Sequence, residues 1–379
     1  SDAITLASDG TCTANITNRT NKNLIINGAM QVAQRGTSST SDGYHTIDRF
    51  QMNFSGTDEA PTQAQVDVSS GTTPYTNGFR KAFKITNGNQ TSGAGTSDRI
   101  EISYKLEAQD LANSGWNYTS SSSFITLSFW CKSSVAQNFF CRILTSDGTS
   151  QRYAVETGSL TADTWTKITK TIPGNSNLQF DNNNAEGLKI SVYQFAGTDY
   201  TDSSSLNTWA AGVTGNRTPD QTSTWYTTND ATFEITGVQL EVGSTATDFE
   251  HRSFGQELAL CQRYFHKSGD IGTNNEWFAG VATHANHGAM VAKSLDGDSD
   301  RAFNESIFPV LMRGNPTLVF YPARTGLAQT AGNFSKYNGD VLCAITSQPS
   351  SSPFRMTGYF QSDTDHVAFT FQYTADSEL

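Results

Sequence analysis

A stretch rich in aspartate is the first place in the chain where a metal ion is a chemical possibility. Residues 295–301, LDGDSDR, place Asp296, Asp298 and Asp300 at alternate positions and superficially resemble a calcium loop. An EF-hand also needs Gly at its sixth position and Glu at its twelfth, and this sequence has neither. We therefore expect a solvated hairpin tip, with a weak calcium site of another kind as the alternative, and no other cofactor.

Histidine and cysteine give little support for a metal centre. His284 and His287 are three residues apart in THANHG, but HEXXH is not matched and no third ligand is indicated. The five cysteines are odd in number and dispersed, so they form no disulfide framework. A hairpin turning near Ala136 would place Cys131 and Cys141 opposite each other, and we expect two buried thiols there, with a disulfide as the alternative.

Catalytic patterns are also weak. The nucleophile elbow GxSxG and the phosphate-binding patterns GxGxxG and GxxxxGK[ST] are absent. Glycoside hydrolysis needs two carboxylates on either side of the scissile bond. Glu101, Glu107, Glu156 and Glu241 are available, but their spacing does not show that any two converge. We expect no catalytic activity.

Aromatic residues favour recognition of a sugar. Aromatic rings stack on the apolar faces of sugars, and amide or charged groups bond the hydroxyls. Trp130 alternates out of phase with its apolar neighbours, and an insertion at residues 198–230 carries four more large rings. The predicted glycan-binding residues are Trp130, Tyr193, Tyr200, Trp209, Trp225, Tyr226 and Gln239. The alternative is that these rings fill a second packed layer or a subunit interface.

Composition excludes several classes of protein. The chain has 25 Lys and Arg against 36 Asp and Glu, a net charge of −11, which disfavours nucleic-acid binding. The sequence contains no run of about 18 apolar residues, which is the length that would predict a membrane-spanning helix. Aromatic content of 11% with only 16% charged residues is unlike a disordered chain. A mostly β protein remains.

Strand patterns place these residues on a sandwich. Residues 124–132, FITLSFWCK, put Ile125, Leu127 and Phe129 on one face and Trp130 on the other. Similar segments recur between turn residues over residues 24–250 and predict one β-sandwich. Strand signals return over 269–379 and predict a second, smaller β-domain. Residues 1–23 read as an extended lead-in, and the start at Ser1 suggests a fragment or a processed product.

One segment between these domains predicts a helix. In residues 254–267, FGQELALCQRYFHK, four apolar residues follow helical spacing and share a face. They are Phe254, Leu258, Cys261 and Phe265. This linking helix, within residues 251–268, either packs on its own domain or lies at a symmetry axis between subunits.

Three longer stretches resemble a known family. They are NLIINGAMQVAQRG with IDRF, FEITGVQLEVGSTATDFEHRSFGQELALCQRYF, and FPVLMRGNPTLVFY with the terminal FQYTADSEL. Together they resemble a domain common in tail fibres of tailed bacteriophages, and the resemblance covers nearly all of residues 23–379. No catalytic residue of that family maps onto this chain.

The resemblance implies an all-β protein with a specific architecture and setting. A jelly-roll β-sandwich similar to carbohydrate-binding modules would be followed by the linking helix and a second, smaller β-sandwich. The chain would form a homotrimer through the helix residues given above. It would be assembled in the host bacterial cytoplasm and lie on the virion exterior, in contact with other tail or capsid proteins.

Three functions stay open. The first is a receptor-binding fibre protein that adheres to host cell-surface glycan without catalysis. The second is a capsid or tail decoration protein that binds no sugar. The third is a depolymerase, or the accessory module of a secreted glycanase.

Overall fold

The computed structural model describes residues 4–6, 12–14, 21–202, 205–268, 290–293, 301–322, 332–336, 339–348, 354–360 and 368–379. The aspartates at 296, 298 and 300 and the histidines at 284 and 287 lie outside the described residues. The chain divides into two compact units, Ser1–Glu257 with Leu379, and Leu258–Glu378.

The first unit is built from sixteen short and long strands among the described residues. They are β1 (Ile4–Leu6), β2 (Cys12–Ala14), β3 (Ser38–Ser39), β4 (Phe50–Ser55), β5 (Thr62–Asp67), β6 (Lys81–Thr86), β7 (Arg99–Glu107), β8 (Phe124–Ser133), β9 (Asn138–Thr145), β10 (Gln151–Ser159), β11 (Thr166–Pro173), β12 (Glu186–Ala196), β13 (Thr201–Asp202), β14 (Trp209–Ala211), β15 (Thr218–Pro219) and β16 (Thr232–Val242). Helices are short: α1 (Thr73–Thr76), α2 (Ala108–Ala112), α3 (Thr224–Thr227) and α4 (Phe254–Gln262), which crosses the unit boundary.

Two six-stranded antiparallel sheets make the sandwich. The front sheet has the order β14-β10-β9-β12-β7-β4, and the back sheet has the order β11-β8-β16-β6-β5-β3. The chain passes repeatedly from one sheet to the other, as in a jelly roll. Two small pairs complete the unit, β1 with β2 and the parallel pair β13 with β15.

The core lies between the two sheets. Alternate residues of each strand point inward, because successive side chains of a strand face opposite sides. Phe50 of the front sheet meets Phe83 of the back sheet edge-on at 6.5 Å between ring centroids, and Phe139 meets Phe233 at 4.9 Å. The prediction of an all-β fold is confirmed.

The two central cysteines correct one prediction about connectivity. Cys131 lies on β8 in the back sheet and Cys141 on β9 in the front sheet, so the link between them is not a hairpin. Both thiols point into the core from facing sheets and are free, which excludes the disulfide alternative. Burial raises the pKa of Cys141 to about 12, so this thiol stays protonated.

The predicted helix begins where expected and ends early. α4 runs from Phe254 to Gln262, and Phe265 then opens a strand, β17 (Phe265–Lys267), because its backbone pairs with the last strand of the chain. The four predicted interface residues do not share one exposed face. Phe254 is 55% exposed, whereas Cys261 and Phe265 are buried within the chain, and Leu258 is partly buried.

The second unit is also all-β among the described residues. Its strands are β17, β18 (Met290–Lys293), β19 (Arg301–Ser306), β20 (Thr317–Pro322), β21 (Gly332–Lys336), β22 (Gly339–Gln348), β23 (Phe354–Phe360) and β24 (Ala368–Asp376). They form one eight-stranded antiparallel sheet, in which β21 pairs with both β22 and β24. No helix in the described part of the chain is long and apolar enough to cross a membrane.

Trp225 gives a test of the core. It is fully buried in the first unit, and its indole Nε1 donates to the carbonyl of Thr232 at 3.0 Å. We expect Trp225→Ala to lower the free energy of unfolding by about 3–5 kcal/mol, since it leaves a large cavity and removes the indole hydrogen bond to the Thr232 carbonyl. Trp130→Ala changes a half-buried ring on the outer side of the back sheet and serves as the control. We expect it to lower the free energy of unfolding by clearly less than Trp225→Ala does. Guanidinium denaturation followed by circular dichroism measures both, and equal losses would contradict this assignment.

Candidate functional site

The outward side of the front sheet carries polar residues at its centre. On β7 the apolar Ile100 and Ile102 point into the core, so Glu101 and Ser103 point outward. Strand pairing sets Glu101 beside Tyr193 of β12. The outward side chains of the central strands form a group that we call the front polar face. Its members are Arg99, Glu101, Ser103, Arg142, Arg152, Lys189, Ser191 and Tyr193.

Part of the insertion lies against this face. The amide of Asn207 donates to the carbonyl of Ala154 on β10 at 2.8 Å, and β14 extends the front sheet beyond β10. Arg217 follows a short 3-10 turn, and its amide donates to the carbonyl of Tyr200 at 2.8 Å. The described residues of this long insertion are therefore folded against the sandwich.

Burial is unusual for such polar side chains. Glu101, Ser103, Ser191 and Tyr193 are at most 1% exposed. Lys189 stays partly exposed at the rim of the front polar face. Charged and polar groups seldom lie so deep unless they are paired.

Glu101 is the charge at the centre of the front polar face. Lys189 Nζ lies 3.1 Å from Glu101 Oε1. Burial by itself raises the pKa of this carboxyl, but Lys189, Arg142, Arg99 and Arg217 together lower it to about 2. Glu101 is therefore ionised at neutral pH. A general acid for glycoside cleavage needs a raised pKa, so this carboxyl is unsuited to that role.

Two tyrosine rings lie beside guanidinium groups. Tyr200 has Arg217 Cζ 4.4 Å and Arg99 Cζ 5.2 Å from its ring centroid. Tyr193 has Arg142 Cζ at 5.8 Å, and burial with the charge of Glu101 raises the pKa of its hydroxyl. Such cation–π pairs hold the planar groups in place and leave hydrogen-bond donors at their edges.

Many buried polar atoms on the front polar face lack hydrogen-bond partners. Native interiors leave few such atoms, and each one needs an explanation. Five such atoms in the described part of the chain lie on this one face. They are Arg99 Nε, Arg142 Nε, Arg152 Nε and Nη1, and Ser191 Oγ, whereas the hydroxyl of Tyr193 lies within hydrogen-bonding reach of the Glu101 carboxylate. The front polar face is therefore the candidate binding site.

The predicted site residues fall on both sides of the sandwich. Tyr193 belongs to the front sheet, whereas Trp130 and Gln239 belong to the back sheet. These residues therefore do not line one surface, because β12 and β16 lie in opposite sheets. Tyr193 and Tyr200 do lie at the front polar face, and their role in glycan binding stays a prediction.

The outer side of the back sheet is covered by the chain itself. Gln239 Nε2 donates to Glu241 Oε1 at 2.8 Å, and the amide of Glu250 donates to Gln239 Oε1 at 2.9 Å. Trp130 packs against a small apolar cluster that includes Phe79 and Phe249. Gln239 therefore holds the segment that follows β16.

Two rings of the insertion are core residues. Trp225 and Tyr226 are 0% and 1% exposed, and Tyr226 stacks on Phe195 at 4.5 Å. The expectation that they border a sugar site is wrong, because α3 turns them into the space between the sheets. Trp209 is partly buried and packs against Tyr153, with its Nε1 donating to the carbonyl of Pro173 at 2.7 Å.

The cations of the front polar face were not predicted from the sequence. Arg99, Arg142, Arg152 and Lys189 are scattered over four strands, and Arg217 follows in the insertion. Residues 99–106, RIEISYKL, do carry a signal, since charged or polar residues alternate with apolar ones there. No group of three or more His, Cys, Asp or Glu residues in the described part is arranged to hold a metal.

Comparison with known proteins gives similarity to solved structures only. No family model matches the chain, and no curated protein matches it by sequence. The enzymatically active domain of tailspike protein 4 from bacteriophage CBA120 shares 9% identity at a TM-score of 0.31, covering 58% of this chain and 21% of that one. A putative sugar-binding protein from Bacteroides thetaiotaomicron shares 11% identity at a TM-score of 0.30, covering 59% of this chain and 100% of that one. The N-terminal cellulose-binding domain of a Cellulomonas fimi β-1,4-glucanase shares 10% identity at a TM-score of 0.27, covering 57% of this chain and 99% of that one.

Glu101 gives a test of the electrostatics. We expect Glu101→Gln to lower the free energy of unfolding by about 3–5 kcal/mol at pH 7, because it leaves buried cations without their counter-charge. The folded pKa is about 2 against an ordinary 4.5, so the stabilisation is complete above pH 4.5 and is lost as pH falls toward 2. The free energy of unfolding of Glu101→Gln therefore lacks this part of the dependence on pH.

The matched control is Glu234→Gln on the back sheet, where Glu234 pairs with Lys132 at 3.0 Å. This pair lies nearer the surface, so we expect a smaller loss. Urea denaturation from pH 2.5 to 7 measures both variants. An acid-dependent loss of the same size in both would contradict the central role of Glu101.

Proposed function

We propose that the chain is a non-catalytic receptor-binding protein of a tailed-phage fibre, and that it adheres to host cell-surface glycan through the front polar face. The observation that carries the proposal is the set of buried polar atoms without partners on that face. A sugar hydroxyl both donates and accepts hydrogen bonds, so a glycan can satisfy such atoms.

The rim of the front polar face suits a sugar ring. Tyr200 is partly exposed, and its ring is held by Arg99 and Arg217. Tyrosine offers an apolar ring face together with a polar hydroxyl, the combination that saccharides need. With its pKa held at about 2, Glu101 has no proton to donate as the general acid of glycoside cleavage.

Assembly as a homotrimer on the virion exterior is the second part of the proposal. Large apolar side chains that stay exposed in one chain are suited to subunit contacts. Phe254 is 55% exposed on α4, and Ile307 and Leu311 of the second unit are 73% and 60% exposed. The same side chains also favour the alternative, a decoration protein with a purely structural role.

Adhesion gives the direct test of the receptor role. We expect Tyr200→Ala and Arg217→Ala each to weaken binding to host cells or glycan about tenfold, since each removes part of a stacked pair at the rim. The control pair is Tyr75→Ala and Arg80→Ala, because Arg80 Cζ lies 3.9 Å from the Tyr75 ring in the same kind of contact elsewhere. Labelled soluble protein on cells and on a glycan array gives the affinities. Wild-type protein that bound neither would overturn the proposal.

Oligomeric state gives an independent test of the assembly. We expect light scattering to give a mass near three times the 41.1 kDa of one chain. Phe254→Ser shifts the mass toward the monomer, because it removes an exposed apolar ring. A wild-type monomer at micromolar concentration contradicts the trimer and leaves the adhesion proposal to its own test.

A further inference from the structure

We infer that the glycan recognised by the front polar face is acidic, with a carboxylate or sulfate group that binds Arg142 and Arg152. The inference rests on the proposed function and adds a substrate class to it. It depends on three observations: an excess of positive charge on this face, two buried guanidinium groups without ion pairs, and the shape of their donors.

The charge of the front polar face is opposite to that of the whole chain. The chain carries a net charge of −11. Yet the charge of Glu101 is surrounded by four cations, which are Lys189, Arg142, Arg99 and Arg217. A fifth cation, Arg152, lies beside Arg142. The carboxylates of this group are Glu101 and Asp202, and Glu156 lies further along the outward row of β10, so the five cations still outnumber the acids. An anionic ligand is attracted to such a site even when the protein as a whole is negative.

Arg142 and Arg152 are the cations that most need a partner. They are only 6% and 4% exposed, and neither forms an ion pair within 4.0 Å in the described part of the chain. Arg142 Nε and both Nε and Nη1 of Arg152 lack hydrogen-bond acceptors. By contrast, Lys189 is already paired with Glu101. A buried charge without a partner is costly, so an anion bound here gains more than a neutral group does.

Strand pairing sets the two guanidinium groups close together. Arg142 of β9 pairs with Ala154 of β10, and Arg152 pairs with Leu144 two residues along the same outward row. Burial lowers the pKa of Arg152, the charge of Asp202 offsets part of that shift, and the charge of Arg142 acts in the lowering direction. Two like charges at neighbouring positions repel each other, and an anion bound between them relieves that repulsion.

The donors of arginine fit planar or tetrahedral oxyanions. A guanidinium group presents N–H donors in a fixed fork, which matches the two oxygens of a carboxylate or of a sulfate. Ser191 lies beside Arg142, and Tyr193 lies next along the strand, so hydroxyl groups adjoin the same position. A neutral sugar adds no negative charge to a group in which cations outnumber carboxylates, and it is therefore disfavoured.

A polysaccharide array tests the substrate class. It holds uronic-acid glycans, sulfated glycans and neutral glycans of similar length, with carboxyl-reduced and desulfated forms of each acidic member. We expect binding to be confined to acidic glycans and to fall at least tenfold when the acidic group is removed. If carboxyl reduction abolishes binding, the recognised group is a carboxylate; if desulfation abolishes it, the group is a sulfate. This part of the experiment uses the wild-type protein alone.

Variants then place the anion on the protein. We expect Arg152→Lys and Arg142→Gln to weaken binding to the best acidic glycan at least tenfold, while Arg80→Gln leaves it unchanged. Thermal unfolding of each variant shows whether it is folded. Equal binding to neutral glycans, or to carboxyl-reduced and desulfated forms, would overturn the inference while the proposed function stands. Absence of binding to every glycan would overturn both.

Discussion

The buried carboxylate of Glu101 is the charge on which the front polar face depends. An isolated ion at that depth would be very unfavourable, and Lys189 at 3.1 Å together with three guanidinium groups holds it ionised. The dependence is mutual, because cations packed this closely repel one another unless an acid lies between them. Arg217 reaches this group from the insertion, so the same charge also helps to hold the insertion against the sheet.

The two outer sides of the sandwich are covered in different ways. On the back sheet the segment after β16 satisfies the polar groups beneath it, as Gln239 and Glu241 show through bonds to Glu250 and Thr247. On the front sheet the insertion leaves guanidinium atoms and the hydroxyl of Ser191 without hydrogen-bond partners. A surface whose only task is to close the fold is expected to satisfy its own atoms. This difference is why the proposed recognition site lies at the front.

Local pattern predicted much of the fold, and long-range pairing decided the rest. The alternation in residues 124–132 predicted β8, which runs from Phe124 to Ser133, and the helix begins at Phe254 as expected. Cys131 and Cys141 were expected to face each other across a hairpin, but β8 and β9 belong to different sheets. The helix ends at Gln262 because Phe265 pairs with Asp376, a residue far along the chain.

The sequence by itself determined the all-β fold, the alternation that separates core from surface, and the presence of aromatic and basic side chains. Only the tertiary structure decided which of them meet. Trp225 and Tyr226 belong to the core, although composition placed them with candidate binding residues, because α3 folds back between the sheets. Arg142 acts on Glu101, and Arg152 lies beside Arg142, because strand order brings distant segments together. Side-chain alternation is a local property that sequence reveals, whereas the choice of neighbouring strand is set by the packing of the whole sandwich.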